Sequence, residues 1–176
     1  MKPKSKKLPR KVIWKPPDAA LLKTNFENAV FEDLGAPGIG EMVRNSLGEV
    51  LVALSEIIPL PSSIVALETI AARRAVLFIR ELGFSDTIFE GDSKMAISTI
   101  KKQSFQNPVV GNLVKDIVSS VSMFQYYSFS HTRRQGNVLA YALARQARLS
   151  FPTLVWMNSI LADIYQFFVS DIPVIK

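Results

Sequence analysis

No cysteine occurs anywhere in the chain. That removes disulfides, thiolate nucleophiles and Cys-ligated zinc together, and it fits an intracellular protein of the nucleus or cytoplasm. Long apolar runs are missing too. The most hydrophobic stretch, residues 151–175, is interrupted by Asp163 and Asp171, so no membrane span is expected. The first residues lack the apolar segment that follows the charges of a secretory signal, so none is expected. Acidic residues are absent from residues 1–11, which carry Lys2, Lys4, Lys6, Lys7, Arg10 and Lys11. These hold the whole formal surplus of +6, and charges balance in the rest. Such an arm, taken as residues 1–13, either contacts phosphates or addresses the nucleus, or is a solvated tail that aids solubility.

What is present is enough for one domain with a filled core: 176 residues, 48% hydrophobic and 20% charged, which excludes general disorder. Lys15-Pro16-Pro17-Asp18 is a stiff extended lead-in. Residues 21–31, 39–44 and 50–58 read as strands, separated by turns at 35–38 and 45–48, which predicts an antiparallel meander. A helix capped by Ser62 or Ser63 runs to residue 82 and ends at Gly83. A strand at 87–90, helices at 93–102 and 108–120, a strand at 124–131 and a helix at 137–149 capped by Asn137 follow. The order β-β-β-α-β-α-α-β-α predicts one mixed α/β sheet with helices on its faces. Residues 151–176 form an apolar extension expected to pack on the domain as a terminal helix; the other reading is an interaction surface at residues 154–168.

Three carboxylates stand out. Glu68 shares helical spacing with Ile64, Ala71, Ala72, Ala75 and Ile79, and is either a rim residue reaching water or a partner for a metal or other charge. Asp92 ends the fourth strand and precedes a helix, a position that suits both an N-cap and a ligand site, and Gly91 before it permits close approach. Glu27 lies inside the first strand on the same face as Asn25, where a solvated face is the simpler explanation. If the first strand, first long helix and fourth strand converge, the three acids repel one another and a divalent cation is the usual remedy. His131, the only histidine, closes the fifth strand. It either orients a ligand or is structural. Arg133 and Arg134 follow in a loop, positioned to hold phosphates or simply to face solvent.

The segments KTNFENAVF, GIGEMVRNSLGEVL, ALETIAARRAVLFIRELGF, FEGDSKMAI and HTRRQGNVLAYALARQA, in this order, closely resemble the ribonuclease-H-like domains of plant proteins related to retroelement reverse transcriptases. The resemblance covers nearly all of the chain after the arm, with the domain at 14–150. It implies a five-stranded mixed sheet and an endonuclease that cuts RNA paired to DNA, using four acids that bind two magnesium or manganese ions. By position, Glu27 stands where the family usually has Asp, Glu68 where it has Glu and Asp92 where it has Asp. The fourth acid is replaced by Tyr141, and the usual glycine after the first acid by Asn28. Glu27, Glu68 and Asp92 are thus the expected catalytic and metal-binding residues, with His131 and Tyr141 accessory. Asn25, Asn137, Arg133 and Arg134 are the expected contacts to an RNA–DNA hybrid or structured RNA, and a monomer is expected. Glu27 is a methylene longer than Asp, and Tyr141 removes a negative charge and a strong ligand, so metal affinity should fall. The alternative is a catalytically degenerate nucleic-acid-binding or scaffold module on the same fold.

Overall fold

Alternating strand formers broken by turns put three strands first. The computed structural model describes residues 13–149 and 152–158. In it β1 (Leu22–Phe31), β2 (Ala36–Arg44) and β3 (Val50–Ile57) form the antiparallel meander. The first turn lies at residues 32–35 and not at 35–38. Gly35 takes the left-handed conformation with φ +57°, and Pro37 and Gly38 already pair with Val30 and Ala29.

Ser63 caps α1 (Ile64–Glu81) by accepting from the Ala66 N–H at 3.1 Å, and Gly83, with φ +76°, lets the chain leave it. Then come β4 (Asp86–Gly91), α2 (Lys94–Lys101), α3 (Pro108–Val121), β5 (Tyr126–His131), a short 3-10 turn at Arg134–Gly136 and α4 (Val138–Gln146). Asn107 caps α3 with Pro108 in its first turn.

The chain then adds a strand where a helix was expected. β6 (Thr153–Met157) pairs antiparallel with β3, giving six strands in the order β5-β4-β1-β2-β3-β6. The segment Thr-Leu-Val-Trp-Met is rich in strand formers, and the open edge of β3 supplies partners that no helix could use. Its packing is one-sided: Trp156 reaches the core cluster of Met42 and Leu143, whereas Leu154, Val155 and Met157 are exposed. The expected arm through residue 12, and the extension at 150–151 and 159–176, lie outside the described residues. No helix among those described is long and apolar enough to cross a membrane.

The sheet is covered on both faces. Phe26, Ile39, Val43, Leu54 and Phe89 pack with Ala72, Ala75, Val76 and Ile79 of α1 and Val114 and Ile117 of α3. Met42 and Ala53 pack with Leu139 and Leu143 of α4. Of the expected apolar face of α1, Ile64 is corrected: it sits at the first helical position and is 72% exposed. α4 approaches β2 so closely that a Cβ at Gly40 would lie 2.1 Å from the Ala140 carbonyl oxygen. This contact fixes α4, and so Asn137 and Tyr141, against the sheet. Glu41, between Ile39 and Val43, is fully buried with no hydrogen-bond partner for either oxygen, and burial holds its carboxyl well above the usual range.

Candidate active site and nucleic-acid interface

β1 pairs with β4 only from Leu22 to Asn25, so beyond Asn25 that edge of β1 opens into a notch. Glu27, on β1, lies there. Asp92, just past β4, and Glu68, on α1, line the same small cavity, of about 10 Å³, with Ser93, Phe26 and Ala71. The structure thus brings the three expected acids to one place. Gly91 serves it indirectly: an added Cβ would meet the Phe26 ring at 2.6 Å, so the glycine is there for Phe26 to fill the cavity floor.

Each carboxyl already has partners. Glu27 Oε1 accepts from the Asn28 N–H at 2.9 Å, and its other oxygen lies 3.4 Å from Asn137 Nδ2. Glu27 is buried and hydrogen-bonded to Asp92; burial first, then that bond and the charge of Asp92, push its pKa up to about 8, against the opposing pull of the Asn28 N–H. The Glu27 carboxyl therefore holds its proton at neutral pH. Half-buried Glu68 accepts from Ser93 Oγ at 2.5 Å. Ser93, not Asp92, is the N-cap of α2, accepting from the Ala96 N–H. The capping role open to Asp92 is thereby corrected: the chain turns one residue later, freeing Asp92 for the notch.

Arg134 occupies an unexpected place. Its Nε donates to Asp92 Oδ2 at 3.3 Å, and its guanidinium lies 4.6 Å from the centre of the Tyr141 ring. Tyr141, expected at the position of a fourth acid, thus packs against a cation. His131 donates from Nε2 to the Asp92 carbonyl at 3.1 Å, so it holds the turn that carries Asp92. Arg133 is exposed in the same loop.

Asn25 and Asn137 need correction as direct nucleic-acid contacts, because both are buried and committed to a polar network. Trp14 Nε1 donates to Asn25 Oδ1 at 2.9 Å; Asn25 Nδ2 donates to Glu90 Oε1 and to Asn137 Oδ1, each at 3.0 Å. Asn137 Nδ2 donates to the Phe26 carbonyl at 3.0 Å, and for that reason Asn137 does not cap α4 with its side chain. The two amides tie β1, β4 and α4 together behind Glu27. Lys23 closes the network with an ion pair to Glu90 at 3.2 Å. Trp14, Glu90, Lys23 and Ser93 escaped the sequence reading, although Glu90 and Ser93 flank Asp92 in the motif that drew notice.

As they stand, no three Asp, Glu or His side chains among the described residues gather closely enough to hold a metal ion. The chemistry of the donor set nevertheless suits a hard divalent cation: three carboxyl groups line one cavity, and Glu27 stays protonated because burial and a like neighbour disfavour its charge. The cavity, about 10 Å³, is at the lower limit for a single water-sized occupant.

An acidic notch at the end of β4, on a mixed sheet that begins with an antiparallel meander, defines a ribonuclease-H-like domain. RNase H1 from the halophilic archaeon Halobacterium salinarum shares the fold with a TM-score of 0.66 at 20% identity, over 72% of this chain and 96% of that one. LC11-RNase H1, isolated from compost by a metagenomic approach, was solved in complex with an RNA/DNA hybrid. It matches with a TM-score of 0.63 at 19% identity, over 72% of this chain and 95% of that one. The N-terminal RNase H domain of a Mycobacterium tuberculosis protein matches with a TM-score of 0.63 at 20% identity, over 72% and 91%. At such identities the likeness is one of fold. No curated relative matches. The chain belongs to the reverse transcriptase-like family, whose model matches residues 25–147.

Proposed function

We propose that this domain binds nucleic acid, with RNA paired to DNA or structured RNA as its ligand. The supporting observation is the grouping of Glu27, Glu68 and Asp92 on one cavity, with the exposed Arg134 on Asp92 and the exposed Arg133 next to it in the chain. Family membership adds to it, as does a fold shared with an RNase H1 solved on an RNA/DNA hybrid. Proteins of this class read the shape of a duplex and its 2′-hydroxyls rather than base edges. The five segments that resemble the ribonuclease-H-like domains of plant proteins related to retroelement reverse transcriptases support an origin of that kind. A monomer in the nucleus or cytoplasm, with its domain at 14–150, fits the neutral body and the basic arm.

Cleavage of the RNA strand is the second reading, favoured by the same three carboxyls. Glu27, Glu68 and Asp92 would hold the magnesium or manganese, which supplies charge to activate water and stabilise the leaving oxygen. Asn28 and Asn137 orient Glu27, Ser93 orients Glu68 and His131 holds the Asp92 turn. The Arg134 guanidinium on Asp92 and Tyr141 favours the degenerate binding module instead, because it already supplies a positive charge at Asp92.

Labelled hybrid, double-stranded RNA, duplex DNA and single strands, each with magnesium, manganese or chelator, test both readings. Hybrid or double-stranded RNA should bind more tightly than duplex DNA; equal affinity for all duplexes at moderate salt refutes the proposal. Cleavage by the parent chain or by the double variant Glu27→Asp, Tyr141→Asp, lost again with Asp92→Asn, supports the second reading. Its absence from both leaves the binding module.

A further inference from the structure

On the other side of the Asp92–Ser93 turn from the acidic notch lies a larger, open pocket of about 420 Å³. Its charged lining is lopsided. Lys15, Lys23, Lys94 and Arg133 face Glu90, the single acid, and Lys23 already pairs with it at 3.2 Å. Lys23 is also buried and donates to the Lys15 carbonyl at 2.7 Å, so the pocket floor is held rigidly. That leaves an excess of three positive charges. Among the described residues the side chains of Lys15, Lys94 and Arg133 have no ion-pair partner, and all three are exposed.

Unpaired cations around a concave site favour an anion, and the volume lies in the range of small-ligand pockets, large enough for a phosphate with its sugar. Two features select a nucleic-acid strand as its source. His131 lines this pocket while bonding the backbone of Asp92, so a single turn separates the pocket from the acidic notch. Ile13 lines it as well, and in the sequence Lys2 to Lys11 come shortly before that residue.

We propose that this pocket binds a backbone phosphate of a nucleic-acid strand through Lys15, Lys94 and Arg133, and thereby presents the neighbouring phosphodiester to the Glu27–Glu68–Asp92 cavity. The inference rests on the nucleic-acid reading above and adds a second, phosphate-anchoring site to it. Lys23 acts as a positioning residue, its charge spent on Glu90.

The test uses the full chain and the variant Lys94→Ala, Arg133→Ala, with Lys101→Ala, Lys102→Ala at the far end of α2 as a charge-matched control. Thermal midpoints confirm that each variant folds. Anisotropy across a salt series reads affinity for hybrid and for duplex DNA. Amide shifts at residues 13–15 and 131–133 read occupancy by inorganic phosphate and by a mononucleotide. The pocket variant should lose about tenfold or more in affinity for every nucleic acid, and its salt slope should fall by about 1 to 2, while the control keeps both. Phosphate should shift the pocket amides of the parent and not of the variant. Unchanged affinity and slope in the pocket variant overturn the proposal. If phosphate or the mononucleotide still shifts those amides, the pocket is a site for free phosphates and not for a strand. If pocket shifts and variant losses are present but hybrid is not preferred over duplex DNA, the anchor stands and the proposed ligand class falls.

Discussion

Replacing Glu27 by Gln isolates the proton that the acidic site holds. With the folded carboxyl titrating at about 8 and the ordinary value at 4.5, the folded chain carries a proton between those values that the unfolded chain has lost. Stability therefore falls as pH rises through that window and levels off above it. At 1.36 kcal/mol per pKa unit, Glu27 alone should remove about 2.5 kcal/mol of stability between pH 5 and pH 7. Gln accepts the Asn28 N–H as Glu does and offers an N–H to Asp92 as the protonated acid does, so Glu27→Gln keeps the contacts and loses the titration. Glu41 titrates in both proteins and cancels in the comparison. Urea unfolding of both, at half-unit steps from pH 5 to pH 8, measures the difference. The advantage of the variant should grow by about 2.5 kcal/mol from pH 5 to pH 7. Parallel stability curves would mean that Glu27 ionises at an ordinary pH, and the account of a protonated Glu27 in the folded site would be wrong.

Glu41→Leu should stabilise the fold, increasingly as pH rises above the ordinary carboxylate range, because it removes a buried carboxyl without hydrogen-bond partners; thermal midpoints at pH 5 and pH 8 check it. Arg134→Gln should strengthen magnesium binding by releasing Asp92, read by calorimetry and by a larger magnesium-dependent rise in thermal midpoint; equal magnesium responses in variant and parent would show that Arg134 does not compete with a cation. Gly40→Ala should destabilise by about 1–3 kcal/mol or more, since its methyl group would run into the α4 backbone, and denaturant midpoints measure this.

The sequence by itself determined the element order from β1 to α4, because the signals are local. Strand alternation, the Ser63 cap, Pro108 after Asn107 and the left-handed Gly83 each act within a turn or two of chain. That order left the approach of Glu27, Glu68 and Asp92 conditional, and the resemblance of the surrounding segments supplied the expectation of one site. Tertiary structure decided what those side chains hold. Asn137, at a capping position, turns its amide to Phe26 and Glu27, across 111 and 110 residues. Arg134 finds Asp92 across 42 residues, and Asn25 finds Glu90 across 65. The same holds for the sixth strand: residues 153–157 suit a helix or a strand, and only the open edge of β3 selects between them. Helix caps and turns are short-range bargains between neighbouring backbone groups, and so they are written in consecutive residues. The pairing of a buried polar group depends on which distant groups reach it once water is gone, and that is settled only when the sheet and its helices have closed around it.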